Sequence, residues 1–238
     1  MKDMINEKVR KMAMILFLSL AIGCLSSCSD DDDSPSVAPS ASGVVQDMDG
    51  NEYHWVRIGN LDWMTDNLRC GTPFYEDAYN DKWGRRSLSL PKSMETSKLI
   101  YDNFGNYYSW QEAMDNAPEG WRLPTDDDWK NLERALGMRQ VDIDKEGWRS
   151  GCSYLMTQDG EGSQLNMRYG GSVYFLGYSL SINHYYDFGY YWSATSTSIN
   201  GEPAAYARMI TPSRNAVNRL QVMQEEHFMS VRYVRYAQ

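Results

Sequence analysis

The sequence predicts an α+β domain in which two short helices pack on antiparallel strands joined by long irregular loops. Two apolar stretches near the middle of the chain have helical spacing, the second of them preceded by a capping residue, and a turn-rich hairpin opens the domain at Val44. Strand-like runs separated by turn residues fill the chain after Met167. Helices followed by a run of antiparallel strands are typical of the α+β class.

Residues 1–27 are predicted to be a signal peptide that is removed. Basic residues come first, and an apolar run from Met12 to Ala21 follows them. This run is well short of the ~20 residues that span a bilayer as a helix, and its length suits a signal peptide.

The segment ends in Leu25-Ser26-Ser27-Cys28, which resembles the lipobox of bacterial lipoproteins. In a lipobox, an aliphatic residue and two small residues precede the cysteine that is acylated. Cys28 is therefore the predicted lipidation site, and Cys24 is a weaker candidate because Ala21 occupies the aliphatic position. A secreted protein that is cut nearby and carries no lipid is the alternative.

Residues 28–43 are predicted to form a flexible tether, and residues 44–238 the domain. The run Asp30–Asp33 resembles the signal that sends lipoproteins of Bacteroidetes-type bacteria to the outer face of the outer membrane. A charge run that merely extends the tether by repulsion is the simpler interpretation. Ser34–Gly43 contains one large apolar residue, Val37, which is too little to offset chain entropy. The expected location is the outer membrane, facing the cell exterior, with the lipid as the membrane contact.

Composition narrows the range of partners. The chain has 32 acidic against 23 basic residues, a net charge of −9, which argues against a nucleic-acid partner. It has 17 Tyr and 8 Trp but only 6 Phe, a bias that indicates packed layers reaching the surface or stacking platforms.

Outside the cytoplasm Cys70 and Cys152 could form a disulfide, although their separation along the chain does not establish the geometry.

The domain is predicted to open with a hairpin. Asp47–Asn51 reads as a turn, Glu52–Ile58 as a strand, Gly59-Asn60 as a second turn and Leu61–Leu68 as the partner strand. Asp47-Met48-Asp49-Gly50 also resembles the start of a calcium loop. No glutamate follows at the position that closes such a loop, so the pattern favours a turn and no metal site is predicted.

A long loop, two helices and a series of strands are predicted to follow. The loop spans Cys70–Ile100, and the first helix spans Ser109 (or Tyr108) to Asn116 with Trp110, Ala113 and Met114 on one face. Thr125 caps the second helix, which Gly137 ends. Its first turn holds Asp126, Asp127 and Asp128, and its buried stripe is Trp129, Leu132 and Leu136. The predicted strands are Met167–Tyr174, Tyr190–Thr195, Ala205–Ile210, Ala216–Met223 and Met229–Tyr236, with a long loop at Gly177–Gly189.

Several of these segments together resemble the Fibrobacter succinogenes major paralogous domain family. The matching motifs, in order, are Asp49-Gly50-Asn51, Ile58-Gly59-Asn60, Trp63-Met64, Asn67-Leu68-Arg69, Gly105–Trp110, Gly120–Thr125, Trp129, Tyr191–Thr195 and Ser230–Arg235. The resemblance implies an extracellular, often lipid-anchored protein. It also implies a C-type-lectin-like fold, including its formylglycine-generating-enzyme branch. A cysteine pair that is frequent in the family is replaced here by Ala117 and Tyr233, which suggests that these two positions pack against each other.

The favoured function is a non-enzymatic binding or adhesion module for a glycan or a surface protein. Lectin-like folds present a long loop beside the sheet, and here that loop offers rings and polar groups at Asn183, His184, Tyr185, Tyr186 and Asp187. Core filling by these rings is the alternative interpretation. The calcium-dependent sugar motifs of lectins are absent from the sequence, so sugar binding is expected to be calcium-independent.

Two other functions remain as alternatives. One is a structural subunit of a surface or fimbria-like assembly. The more remote one is a copper enzyme of the formylglycine-generating type, which would need two close cysteines. His54, His184 and His227 are isolated in the sequence and read as structural, so no catalytic residue and no cofactor are predicted.

Overall fold

A computed structural model describes residues 37–76, 88–89, 93–157, 162–176 and 179–238. All of them belong to one compact unit, Pro35–Gln238. The predicted signal peptide, Cys28 and the acidic run lie outside the described residues, as does much of the predicted loop between Cys70 and Ile100. None of the helices in the described part of the chain combines the length and apolarity needed to cross a bilayer.

The described residues form twelve strands and four short helices. The strands are β1 Ser42–Gln46, β2 Glu52–Ile58, β3 Leu61–Met64, β4 Leu88–Ser89, β5 Gly147–Ser150, β6 Ser172–Leu176, β7 Ser179–Asn183, β8 Gly189–Ile199, β9 Glu202–Ile210, β10 Ala216–Met223, β11 His227–Phe228 and β12 Val234–Tyr236. The helices are α1 Met94–Phe104, α2 Trp110–Asp115, α3 Asp126–Ala135 and α4 Ser153–Met156.

The strands form three four-stranded sheets. The first has the order β1-β2-β3-β12, the second β5-β10-β9-β8 and the third β11-β6-β7-β4. Neighbours in these sheets are antiparallel except β4 and β7, which are parallel. The protein is therefore β-rich, with mostly antiparallel sheets and few short helices, as the sequence predicts in outline.

The amino-terminal end of the domain lies earlier than predicted. β1 starts at Ser42, and the Arg57 amide donates to the carbonyl of Ala41. The side chains of Val37 and Ala41 pack against the core. The predicted tether therefore includes residues that belong to the fold. The composition of this segment does not indicate a strand, because β1 lies at the edge of its sheet and every second residue of it is exposed.

The predicted hairpin and both predicted helices are present. The turns before β2 and β3 hold Gly50 and Gly59 at positive φ, 81° and 62°. Thr125 caps α3 in a reciprocal box with Asp128, and Ser109 caps α2 in the same way. The predicted stripe of α3 is buried, but Met114 of α2 is exposed and does not join the apolar face predicted for it.

Three other elements differ from the prediction. The region expected to be a loop up to Ile100 contains the start of α1, which Ser93 caps and which buries Ile100 and Phe104. The loop expected between Gly177 and Gly189 contains β7, which pairs with β6. The strand expected at Met229–Tyr236 is interrupted, because Met229 pairs with Tyr108 in an isolated bridge and β12 begins only at Val234.

The buried residues form three apolar clusters. The first includes Trp63, Trp129, Leu132 and Tyr191, the second includes Tyr53, Trp121, Trp192 and Tyr233, and the third includes Phe74, Tyr107, Val173 and Phe228. Trp63 and Trp129 pack with their ring centroids 5.0 Å apart. Burial of rings of this size is the main apolar contribution to the fold.

A buried ion cluster joins α3 to the second sheet. It consists of Asp126, Glu133, Arg149, Arg208 and Arg219, all at most 7% exposed. Glu133 accepts from Arg149 at 2.8 and 2.9 Å, and Asp126 accepts from Arg208 at 2.8 Å and from Arg219 at 2.8 Å. Although burial raises the pKa of Asp126, the arginine partners outweigh it and lower that pKa. The first turn of α3 therefore does more than complement the helix dipole, because Asp126 points inward to arginines of the sheet.

Candidate functional site

The predicted ligand-binding residues 183–187 lie at the end of β7 and in the turn after it. The Asn183 amide donates to the carbonyl of Ser181 at 2.8 Å, and Tyr185 packs against the third cluster. Tyr186 is 53% exposed, with its ring edge-on to another ring 5.0 Å away. Asp187 is exposed and its backbone amide donates to the carbonyl of His184. His184 lines a groove in the described part of the chain.

This groove has a volume of about 340 Å³ and lies between the second and third sheets. We call it the histidine–tyrosine groove; it is lined by Ser172, Tyr174, His184, Tyr190, Met209, Leu220, Val222, His227 and Met229. Its size is within the range of small-ligand sites. The third sheet presents aromatic rings, and the second sheet presents aliphatic side chains of β9 and β10 together with the Tyr190 ring of β8.

Three rings form a row along the groove. Tyr174 lies on the central strand β6, and His227 on β11 is its direct cross-strand partner. The Tyr174 and His227 rings are 5.8 Å apart and 28° from parallel, and those of Tyr174 and His184 are 6.4 Å apart and 19° from parallel. The Tyr174 hydroxyl lies 3.4 Å from Nε2 of His184. The two histidines that read as isolated in the sequence thus flank one tyrosine.

Burial keeps two of the groove's titratable groups neutral near pH 7. Burial lowers the pKa of His227, and its buried Nδ1 has no hydrogen-bond partner among the described residues. Burial also raises the pKa of Tyr190 to about 12. The groove therefore offers rings, an aliphatic wall and neutral polar atoms, which suits an uncharged ligand that has an apolar face and hydroxyl groups.

Several residues that carry the family motifs lie elsewhere, in the framework. The indole nitrogens of Trp110, Trp129 and Trp192 donate to backbone carbonyls of Ser193, Trp192 and Tyr108. Arg232 is 1% exposed and donates to Asn67 and to three backbone carbonyls. These polar atoms are satisfied inside the protein and are therefore not available to a ligand.

The sequence profile of the Fibrobacter succinogenes major domain matches residues 56–235, which is most of the chain. The chain belongs to this family. No curated protein and no solved structure matches it.

Ala117 and Tyr233, the two positions where the resemblance would place a cysteine pair, lie in the second cluster. Tyr233 is fully buried, and its hydroxyl donates to the carbonyl of Ala113 in α2 at 2.9 Å. Ala117, just beyond α2, packs against the same cluster. The tyrosine side chain therefore connects β12 to the α2 segment, as a disulfide between these positions would.

The candidate disulfide between Cys70 and Cys152 is wrong. The two sulfurs are not bonded to each other: Cys70 lies in the second cluster and Cys152 in the first. Burial raises the pKa of the Cys152 thiol, which keeps it protonated. The close, reactive cysteine pair required by copper chemistry of the formylglycine-generating type is therefore not formed by these two residues.

The turn at Asp47 brings together the potential metal-ligating atoms of Asp47, Asp49 and Cys70, which lie within 4.8 Å of one another. The Asp47 carboxylate, however, already accepts four hydrogen bonds, from the amides of Asp49 and Asn51, the Asn51 side chain and the Tyr53 hydroxyl. Four bonds use the acceptor positions that a carboxylate offers. Burial raises the pKa of Asp47, but these hydrogen bonds outweigh burial and lower it. The geometry is that of a stabilised turn.

Proposed function

We propose that the protein is a lipid-anchored surface protein whose C-type-lectin-like domain is a non-catalytic module that binds glycans in the histidine–tyrosine groove. The observation that carries this proposal is the row of Tyr174, His184 and His227 opposite an aliphatic wall. A sugar ring has an apolar C–H face that packs on aromatic rings and a rim of hydroxyls that needs neutral donors and acceptors.

The neutrality of the groove supports an uncharged saccharide. Burial favours the neutral form of His227, which adds no charge to the groove, and the Tyr190 hydroxyl stays protonated and can donate to a sugar hydroxyl. The acidic chain as a whole, with a net charge of −9, disfavours anionic ligands.

Replacing Tyr174 by alanine is expected to weaken glycan binding about tenfold or more, because it removes the central ring of the row. The Tyr174→Phe variant keeps the ring and is expected to bind within about threefold of the wild type. The measurement is a glycan array followed by titration of the full chain in detergent, with and without a chelator. Tyr154→Ala removes an exposed tyrosine on α4 and is the matched control.

Loss of glycan binding on addition of the chelator, or unchanged binding by Tyr174→Ala, would contradict the assignment of this groove. A folded protein that binds no glycan on the array would favour the alternative function, a structural subunit of a surface or fimbria-like assembly.

The anchor is proposed to be a lipid on Cys28, with the protein on the outer face of the outer membrane. The Cys28→Ser variant is expected to lose incorporation of a labelled fatty acid and to leave the membrane fraction, because a serine cannot accept the thioether-linked lipid. The Cys24→Ser variant should be labelled and sedimented like the wild type. Labelling of Cys28→Ser, or loss of the label in Cys24→Ser, would refute Cys28 as the acylated residue.

A further inference from the structure

A second groove lies beside the carboxyl-terminal strand β12. This C-terminal groove has a volume of about 540 Å³ and is lined by Asn60, Met114, Ala117, Trp121, Arg122, Leu123, Thr125, Asp127, Asp128, Asn131, Ala194 and Tyr236. Its lining contains both ring and amide side chains, and its volume is typical of a small-ligand site. It shares no lining residue with the histidine–tyrosine groove.

The most prominent feature of this groove is the exposed ring of Tyr236. The ring is 64% exposed, although most aromatic rings of the domain are buried. It lies at the end of β12, whose backbone is held in register by pairing with Leu61 of β3. An exposed ring without a binding role would not be expected to have polar contacts that fix its orientation.

The ring is nevertheless held by a series of polar contacts that begins at the α3 cap. Asp128 accepts from the backbone amide of Thr125 at 2.7 Å and from Nη2 of Arg122 at 3.1 Å. The Arg122 guanidinium lies 5.0 Å from the centroid of the Tyr236 ring, within cation–π distance. The Arg122–Asp128 pair therefore positions the ring before any ligand arrives, which reduces the entropy lost on binding.

The polar and charged groups around the ring determine which ligand fits. Asn60 and Asn131 supply amide groups, and Met114, Ala117 and Ala194 supply small apolar patches. The single guanidinium in the lining, Arg122, is neutralised by Asp128, and Asp127 adds a carboxylate that is 84% exposed. This balance disfavours an anionic ligand and favours an uncharged one with hydroxyl or acetamido groups.

We propose that the C-terminal groove is a second saccharide-binding site, specific for uncharged hexoses or N-acetylhexosamines that stack on Tyr236. It goes beyond the proposed function, since it makes the domain bivalent, and it does not require the histidine–tyrosine groove to bind a sugar. Two sites on one domain would raise avidity for a polymeric glycan without strengthening either site.

The test is isothermal titration of the full chain in detergent with methyl glycosides of glucose, galactose, mannose and N-acetylglucosamine, and with methyl glucuronide as the anionic comparator. Tyr236→Ala is expected to weaken binding of the preferred uncharged glycoside at this site about tenfold or more, whereas Tyr236→Phe stays within about threefold. Tyr154→Ala, on α4, should match the wild type. Because Tyr236 is exposed and terminal, its replacement is expected to leave the thermal unfolding curve unchanged.

A double comparison separates this site from the first one. Tyr174→Ala should leave the Tyr236-dependent binding intact, and Tyr236→Ala should leave the Tyr174-dependent binding intact. The second site is refuted if Tyr236→Ala binds every uncharged glycoside as the wild type does, if methyl glucuronide is the preferred ligand, or if the Tyr174→Ala protein binds none of the probes. If Tyr174→Ala binds every glycoside as the wild type does, while Tyr236→Ala loses binding, only the first groove is refuted.

Discussion

Replacing Glu133 by glutamine is expected to lower the free energy of unfolding by about 3–5 kcal/mol, the usual loss when one partner of a buried ion pair is removed. Glu133 is fully buried and accepts from Arg149 and Arg208, which are themselves 2% and 1% exposed. Glutamine has nearly the same shape but carries no charge. The Arg149 guanidinium would then be bonded only to the amide oxygen and to the carbonyl of Ile143.

The measurement is the midpoint of urea unfolding followed by tryptophan fluorescence. Asp127→Asn is the matched control, because it removes a carboxylate from the same helix that is 84% exposed and that pairs, within the described part of the chain, with Lys130. Exposed pairs of this kind contribute little, so a change below about 0.5 kcal/mol is expected. If the free energy of unfolding fell by the same amount in both variants, the Glu133 charge in the buried ion cluster would not stabilise the fold more than an exposed pair does.

The second large effect is expected at Arg232, where methionine should lower the free energy of unfolding by about 3 kcal/mol or more. The guanidinium is 1% exposed and donates to Asn67 Oδ1 and to the carbonyls of Met64, Leu165 and Asn166. Burial is the main reason that its pKa is lowered. Methionine removes a buried charge, which is favourable, but leaves the buried acceptors of Met64, Asn67 and Leu165 without this donor, and each such acceptor costs about 1–3 kcal/mol.

Hydrogen exchange and urea unfolding together test this expectation. The change should speed exchange at the amides of residues 64–68 and 165–167, which Arg232 connects. Arg139→Met is the control, because the Arg139 side chain is 75% exposed and, among the described residues, bonds to the nearby Asp142. An Arg232→Met protein as stable as the wild type would mean that neighbouring donors replace the guanidinium.

The elements that could be predicted are those determined by local chemistry. Thr125 and Asp128 are three residues apart, so their capping box is encoded within one turn, and the start of α3 is as predicted. Gly50 and Gly59 mark turns for the same reason. In contrast, α1 has a sparse apolar face of Ile100 and Phe104 within a polar segment, and its helical form depends on contacts with the third cluster.

Apart from His184, the candidate site could not be predicted, because it depends on pairing between distant strands. Tyr174 meets His227 through the register of β6 and β11, and His184 reaches the same ring from the turn after β7. Nothing in the sequence around any of these residues specifies that register. The inward direction of Asp126 has the same origin, because Arg208 and Arg219 lie more than 80 positions away along the chain.

The position of β1 has a mechanical consequence. β1 is an edge strand, paired only with β2 from Ser42↔Val56 to Gln46↔Glu52, and Gly43 packs directly against the Trp55 ring. A force applied to the chain ahead of Ser42 would break these strand pairs in succession, starting at Ser42↔Val56, and not all at once. Detachment would free residues 37–46 from the sheet while β2, β3 and β12 stay paired. β1 would therefore detach before any other strand of the first sheet when the chain is pulled from its amino-terminal side.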